Sequence, residues 1–431
     1  MDPGQGKPRN KNSEAAPAAA RRPLSGVVVL DITRVVAGPY CSMILADLGA
    51  TVIKIENPGE PDYARDFPPF IGDNGSDNGN SGDNGDARFS AYFAQYNRHK
   101  LGLTLDLSSE DGKQVLRELV ARSDVLVENF RAGVMDKLGV GERDLRAVNP
   151  RLVYTAISGF GQTGPYRRRP AYDNSAQATG GLWAQNGYAD RPPVRVGTII
   201  GDLAATMYAV IGTLAALRHA EATGEGQLVD VSQQDSVLTL TENAVVSYTV
   251  EKKVASPLGN AHPFVRPYEL YPCRDGFVFF GGYTDKFWRL TCEMFGEPGL
   301  ASDPEIDTMT KRFDPDTYEK RVHPLLQRWF ADRTKAELEA MAADQVPLSA
   351  IKSVDEIVAD PHIAARDMIV DVEYPSLGEL RMLGTPIKLD RTPADPRGIA
   401  PGVGEHTDML LRSFGGMSDE RISALRDAGV I

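Results

Sequence analysis

The sequence predicts an α/β protein built on a doubly wound, mainly parallel sheet. Short apolar runs of the kind that parallel sheets bury on both faces recur through its first half. Segments with helical periodicity alternate with these runs, giving βαβ units. At 431 residues the chain is long enough for two domains of ordinary size and a substantial core.

The first run, Gly26-Val27-Val28-Val29-Leu30-Asp31-Ile32, is a buried strand. A Gly-Pro opening follows, and Gly38 to Leu48 is helical, with Pro39 at the tolerated first turn. Thr51 to Glu56 is the second strand and completes a βαβ unit. Asn-Gly, Asp-Asn and Ser-Gly steps from Ile71 to Asp86 mark a flexible surface loop. Leu103 to Leu107 is a strand, Ser109 to Ala121 a helix, and Asp124–Asn129 and Leu152–Ser158 are further strands. Helical spacing returns at Leu203, Met207, Val210, Ile211, Leu214 and Leu217. Beyond a Gly-Glu-Gly break, Gln227–Val231 reads as a strand and Ser236–Tyr248 as a long helix. From about Gly259 the pattern becomes that of a smaller α+β domain. It has strands at Tyr268–Pro272 and Phe277–Gly281, then helices at Phe287–Phe295, Tyr318–Phe330 and Lys335–Ala343. Met368–Tyr374 and Arg381–Leu389 predict strands that return toward the first domain.

Composition narrows the partners. With 47 basic and 59 acidic residues the net charge is −12, and no basic block stands out, so nucleic acid is not an expected partner. An anionic small molecule needs a local basic pocket, because the overall field repels it. Cys41, Cys273 and Cys292 are odd in number and lack metal-ligand spacing, which predicts a reducing compartment and no disulfide framework. None of the six histidines pairs at zinc-helix spacing, so no metal site is expected. No apolar run is expected to reach the length of a membrane span. Met1 to Pro23 is rich in Ala, Pro, Arg and Asn and has no apolar core, which predicts a disordered tail on a cytoplasmic protein rather than a signal peptide.

The most telling position is Asp202. It follows Gly201 at the start of the Ala-rich helix, where unpaired backbone N–H groups and the positive dipole end lie close by. That setting keeps a carboxylate ionised, as a carboxylate nucleophile requires. Asp is equally a preferred N-cap, and local sequence leaves both roles open. Asp173, in Tyr172-Asp173-Asn174-Ser175-Ala176-Gln177, starts another helix with the same ambiguity. A literal G-x-G-x-x-G stands at Gly159-Phe160-Gly161-Gln162-Thr163-Gly164 after a strand. A dinucleotide fingerprint needs a helix N-terminus immediately afterwards, whereas Pro165-Tyr166-Arg167-Arg168-Arg169-Pro170 reads as a basic loop that could line an anion. Val35-Val36-Ala37-Gly38-Pro39-Tyr40-Cys41 joins the first strand to its helix without large side chains at the tip; a tight turn explains the Gly-Pro by itself, and a ligand meeting exposed backbone at the strand ends explains it equally. Asn97-Arg98-His99-Lys100, Arg131 and Lys137 place basic side chains beside other strand ends.

Taken in order, these segments resemble family III CoA-transferases, among them the formyl-CoA:oxalate and carnitine enzymes. The resemblance rests on LDITRVVAGPYCSMILADLGATVIKIENPG, NRHKLGLTLDL, DVLVENFRAGVMDKLG, NPRLVYTAISGFGQTGP, AYDNSAQATGG, VGTIIGDLAATMYAVIGTLAALRH and GEHTDMLL, spanning Leu24 to the C-terminus. It implies a large domain formed by 24–235 and 365–431, a small α+β domain over 259–350, and linkers at 236–258 and 351–364. It also implies a homodimer of two interlocked rings. The implied reaction moves CoA from an acyl-CoA to a free carboxylic acid through an aspartyl-CoA thioester on Asp202. CoA enters as substrate, with no tightly bound cofactor. By motif position, CoA contacts fall on Val36, Ala37, Leu105, Asn129, Phe130, Arg131 and Lys137, with Tyr172 and Asp173 beside the active site.

The sequence departs from the oxalate enzyme in two places. Val36 stands where that enzyme has a Gln that helps to position the anhydride, and Pro257-Leu258-Gly259-Asn260-Ala261-His262-Pro263 stands where it has a run of glycines. The resemblance therefore implies an acceptor other than oxalate. It extends to the α-methylacyl-CoA racemases, which use a His with an Asp matching Asp173, but no His lies between His99 and His219. A third reading, carried by the literal glycine motif, is a non-catalytic CoA- or dinucleotide-binding protein.

Overall fold

The computed structural model describes residues 22–71, 89–375 and 377–431. The expected disordered tail and flexible loop lie outside these residues, apart from Arg22, Pro23 and Ile71. The chain divides into two units. The first holds the described residues up to Ala171, then Asp202–Gln233 and Asp367–Ile431; the second holds Tyr172–Gly201 and Gln234–Arg366.

In the first unit the elements begin β1 (Val28–Asp31), α1 (Ala37–Asp47), β2 (Thr51–Glu56) and the two-residue strands β3 (Phe70–Ile71) and β4 (Phe89–Ser90). They continue with α2 (Ala91–Asn97), β5 (Lys100–Thr104), α3 (Glu110–Val120), β6 (Val125–Glu128), α4 (Val134–Leu138), α5 (Glu142–Val148) and β7 (Val153–Ser158). Next in the chain, α6 (Asp173–Thr179) falls in the second unit, whereas α7 (Ile200–Thr223) from Asp202 on and β8 (Leu228–Ser232) belong to the first; α8 (Gln233–Thr239) beyond its first residue and α9 (Ala244–Glu251) fall in the second.

Six strands form one sheet in the order β5-β2-β1-β6-β7-β8, and every pairing is parallel. Alternate side chains serve its two faces. Val29, Val52, Val125 and Val153 pack on one side against α1 and the alanines of α7, including Ala205, Ala209 and Ala216. Leu30, Ile53, Leu103 and Leu126 pack on the other against α3 and the C-terminal helices Thr407–Ser413 and Asp419–Asp427. Small residues let α7 lie close to the sheet: a Cβ on Gly212 would meet the Val229 side chain at 2.6 Å. Thr213 and Thr155 share a buried hydroxyl hydrogen bond of 2.7 Å.

Several expectations are corrected. The third predicted strand, Leu103–Leu107, is displaced to Lys100–Thr104, because pairing with β2 sets its register from Val52↔Lys100 to Glu56↔Thr104. The helix expected over Ser236–Tyr248 is two helices, α8 and α9, parted by a turn in which Glu242 has φ +52°. Asp202 is not the cap of α7, which starts at Ile200 and so places Asp202 inside the first turn. That 24-residue helix also corrects the membrane expectation: with a mean hydropathy of 1.6 over its most apolar window it has the length and composition of a span. Half of that window is buried within the fold.

The second unit contains an antiparallel sheet of β9 (Glu269–Cys273), β10 (Gly276–Phe280) and β11 (Leu348–Ala350), in the order β11-β10-β9. Its core gathers Tyr271, Phe280, Trp288, Trp329 and Phe330. The helix predicted over Tyr318–Phe330 is a π turn, Tyr318–Val322, followed by a helix from His323 whose early Pro324 has no N–H to donate. In the first unit β12 (Ile369–Tyr374) and β13 (Gly378–Leu383) pair with each other rather than with the main sheet. The second strand stops at Leu383, well short of Leu389.

Candidate active site

Carboxyl ends of parallel strands are where open α/β sheets bind ligands, since strand-to-helix turns converge there. At the end of β1 the turn into α1 is strained and closely held. Val35 has φ +70°, a left-handed conformation that a β-branched side chain rarely adopts. The Asp62 carboxylate accepts its N–H at 3.1 and 3.2 Å. Asn129, just past β6, accepts from Arg34 N at 2.9 Å and donates to Arg34 O at 2.8 Å. Asn129 thus fixes the turn that presents Val36 and Ala37. Both are buried, at 2 % and 4 % exposure, and the Ala37 carbonyl accepts from the Thr206 hydroxyl on α7 at 2.8 Å.

Below this turn lies a buried ionic network. Asp31 accepts from Lys100 Nζ at 2.8 Å, Ser42 Oγ at 2.6 Å and Thr33 N at 2.9 Å. Lys54 bridges Thr33 O at 3.0 Å and Asp62 at 3.1 Å. Burial raises the Asp31 pKa, but the ammonium groups of Lys100 and Lys54 outweigh it and hold the carboxyl well below the usual range. Burial lowers Lys100 to about 8 against the opposing pull of Asp31.

A cavity of about 190 Å³ opens beside the turn, lined by Arg34, Asn57, Leu105, Asp106 and Phe130 among others. Leu105 and Phe130, widely separated in sequence, therefore meet in one hollow. Arg131 and Lys137 lie exposed on the segment that follows Phe130, and Tyr172 is 75 % exposed at the start of α6.

Asp202 is half-buried in the first turn of α7. The side-chain amide of Gln233, the first residue of α8, donates to Asp202 Oδ1. The phenols of Tyr92 and Tyr96 on α2 lie within the field of Asp202. Burial pushes Tyr92 up to about 12, and the charges of Tyr96 and Asp202 add to that rise. Burial also raises Tyr96, with Tyr40 and Asp202 contributing. The helix-end N–H of Gly201 is satisfied by another residue: Asp173 Oδ1 accepts it at 2.7 Å. Gln177 donates to Asp173 Oδ2 at 2.7 Å and to Thr198 O at 3.1 Å, while its own oxygen accepts from Trp183 at 2.8 Å. Asp173 and Gln177 thus fix the backbone at Thr198 and Gly201.

Sequence reasoning did not find Gln233, Tyr92, Tyr96 or Asp62. The Gln233-Gln234 pair after β8 has no local signature, and Tyr92 and Tyr96 read as one apolar helix face. The literal glycine motif is followed by turns, and no helix begins before Asp173. Its Gly161 N–H donates to Ser158 Oγ at 3.0 Å, and Gln162 N donates to the Asp230 carboxylate. Among the described residues no group of three His, Cys, Asp or Glu side chains is arranged to hold a metal ion.

Comparison with known proteins places these features. The succinyl-CoA:mesaconate CoA-transferase of Haloarcula hispanica is 38 % identical over 397 residues, covering 91 % of this chain and 96 % of that protein. The succinyl-CoA–D-citramalate CoA-transferase of Chloroflexus aurantiacus is 34 % identical over 415 residues, covering 95 % and 98 %. The crystal structure of a CAIB/BAIF family protein from Brucella suis matches with a TM-score of 0.78 at 32 % identity, covering 91 % of this chain and all of that one. The model of CoA-transferase family III matches residues 24–407. The chain therefore belongs to CoA-transferase family III and is a CoA-transferase.

Proposed function

We propose that this enzyme transfers CoA from an acyl-CoA to a free dicarboxylic acid, with Asp202 as the covalent nucleophile. The observation that carries this reading is the division of labour at the start of α7. Asp173 satisfies the Gly201 N–H, so Asp202 is not needed as the cap, and its carboxylate is held by the Gln233 amide. A half-buried acid in the first turn of a helix is suited to attack.

In the first step an Asp202 oxygen attacks the donor thioester; the C–O bond forms, the C–S bond breaks and CoA leaves as thiolate. The thiolate attacks the Asp202 carbonyl carbon of the mixed anhydride and expels the donor acid as its carboxylate. The aspartyl-CoA thioester then undergoes the same two steps in reverse with the acceptor acid. CoA is a substrate throughout. Leu105 and Phe130 line the proposed CoA cavity, Asn129 holds the turn beside it, and Arg131 and Lys137 supply cations for the phosphates against the negative charge of the chain. The buried turn at Val36 and Ala37 is the proposed inner contact for CoA.

Succinyl-CoA is the proposed donor and a short dicarboxylic acid the acceptor, supported by the relatives named for succinyl-CoA with mesaconate and with D-citramalate. The working form is a homodimer. Its cysteines, none in a disulfide, fit the reducing conditions of the cytoplasm. Incubation with succinyl-CoA followed by peptide mass analysis is expected to find a CoA adduct on Asp202. Asp202→Ala should lose both the adduct and, on the order of 10³-fold or more, the turnover rate. Full activity in that variant, with Asp202 unmodified in the native enzyme, would overturn the assignment.

A further inference from the structure

We propose that the Gln233 side-chain amide is a catalytic oxyanion donor, acting whenever the carbonyl carbon of Asp202 is attacked. The inference rests on the reading of Asp202 as nucleophile and adds a residue to it. Gln233 begins α8 directly after β8 and is 8 % exposed, so its side chain is held within the fold. It reaches across to α7 and donates from Nε2 to Asp202 Oδ1. Its neighbour Gln234 donates elsewhere, to Thr179 O at 3.1 Å. Of the adjacent glutamines, Gln233 is the one that touches a reacting atom.

The position of that bond decides its chemistry. In the proposed sequence Oδ2 attacks the donor thioester while Oδ1 stays on the amide. The mixed anhydride then has Oδ2 as its bridging oxygen and Oδ1 as the carbonyl oxygen of Asp202. When the CoA thiolate attacks Cγ, a C–S bond forms and the carbonyl electron pair moves onto Oδ1. Collapse restores the carbonyl, breaks the Cγ–Oδ2 bond and releases the donor carboxylate carrying Oδ2. When the acceptor carboxylate attacks the aspartyl thioester, a C–O bond forms at Cγ and charge again gathers on Oδ1. The thiolate then departs. In both central steps the charge develops on the atom that faces the Gln233 N–H, and a prearranged donor there lowers the barrier more than it stabilises the ground state. An amide is suited to this task because it stays a neutral donor at every working pH, so it does not neutralise the nucleophile.

The test measures the single-turnover rate at which the aspartyl-CoA adduct appears, together with kcat and KM for the acyl-CoA. Gln233→Leu is expected to slow adduct formation and kcat by about 10²–10³-fold while KM changes less than about threefold. Gln234→Leu should leave these rates near native values. Gln233→Glu keeps the size of the side chain and, when protonated, presents an O–H donor. Its kcat should therefore recover as the pH is lowered, opposite to any decline in the native enzyme, and a purely structural role would not produce that reversal. If Gln233→Leu fails to fold, Gln233→Glu decides the matter. Native rates of adduct formation in Gln233→Leu, or a Gln233→Glu profile parallel to that of the native enzyme, would overturn the proposal. Absence of any adduct on Asp202 in the native enzyme would instead overturn the nucleophile reading on which it stands.

Discussion

Two aspartates at neighbouring helix starts have opposite roles, and the difference lies in their partners. Asp173 spends both oxygens on Gly201 N–H and the Gln177 amide, which makes it a support for the backbone. Asp202 accepts from Gln233 and lies in the field of the α2 tyrosines, which suits it to the proposed role of reagent. A third acid, Glu128 at the end of β6, shows what burial does without a cation. It is 4 % exposed, and burial first, then the charges of Asp136 and Asp230, raise its pKa from 4.5 to about 8, although the Phe130 N–H at 2.7 Å opposes the rise. Because its folded value lies above its unfolded one, the folded state binds the extra proton between these limits. Its contribution to stability is complete below about pH 4.5 and is lost as the pH rises through 8. Glu128→Gln should flatten the fall in Tm over that window and raise Tm above pH 8 by roughly 2–4 °C for each kcal/mol relieved. Thermal melts of both proteins across the range check this, and an unchanged slope would refute it.

Among elements, the first strand packs its apolar side chains on both faces, and its end and the following turn are held by charges as well. The Lys100–Asp31 and Lys54–Asp62 pairs have no exposed side-chain surface, and each member is also bonded to backbone or hydroxyl groups. Removing one partner strands the other charge in the interior. Lys100→Met should destabilise the enzyme by about 3–5 kcal/mol, read as a lower denaturant midpoint in chemical unfolding. Adding Asp31→Asn to that variant should recover part of the loss, because the uncompensated carboxylate disappears; no recovery would show that packing, not charge, is at stake. The same network anchors Thr33 and Asp62, and Asp62 in turn accepts the N–H of the strained Val35. The strain at the ligand turn is thus sustained by ion pairs one layer beneath it.

At the scale of the whole molecule, α7 carries exposed apolar side chains that bear on the proposed dimer. Its alanines pack on the sheet, yet Met207, Tyr208 and Ile211 remain 42 %, 41 % and 62 % exposed. On α9, Val246 and Val250 are 62 % and 74 % exposed. Exposed apolar side chains on a helix suit a protein–protein interface. Light scattering coupled to size exclusion should therefore give twice the chain mass of 46.9 kDa. Ile211→Asp is expected to shift that mass toward the monomer, and a monomeric native enzyme would refute the dimer.

The sheet was legible because parallel strands need apolar residues throughout. Thr51–Glu56 was placed to the residue and β1, β6 and β7 to within two residues at either end. The special character of the Gly201-Asp202 step was visible for a related reason, since helix starts have a local chemistry of their own. The sequence alone also carried the resemblance that defines the family. What it could not decide was which of Asp173 and Asp202 serves the backbone. That depends on the Gly201–Asp173 and Gln233–Asp202 bonds, each joining residues about thirty positions apart. The register of β5 and the break between α8 and α9 were hidden too, because pairing partners and a left-handed turn residue, rather than local periodicity, fix them. Periodicity encodes which side of an element is buried; only the folded chain decides which distant polar groups meet there.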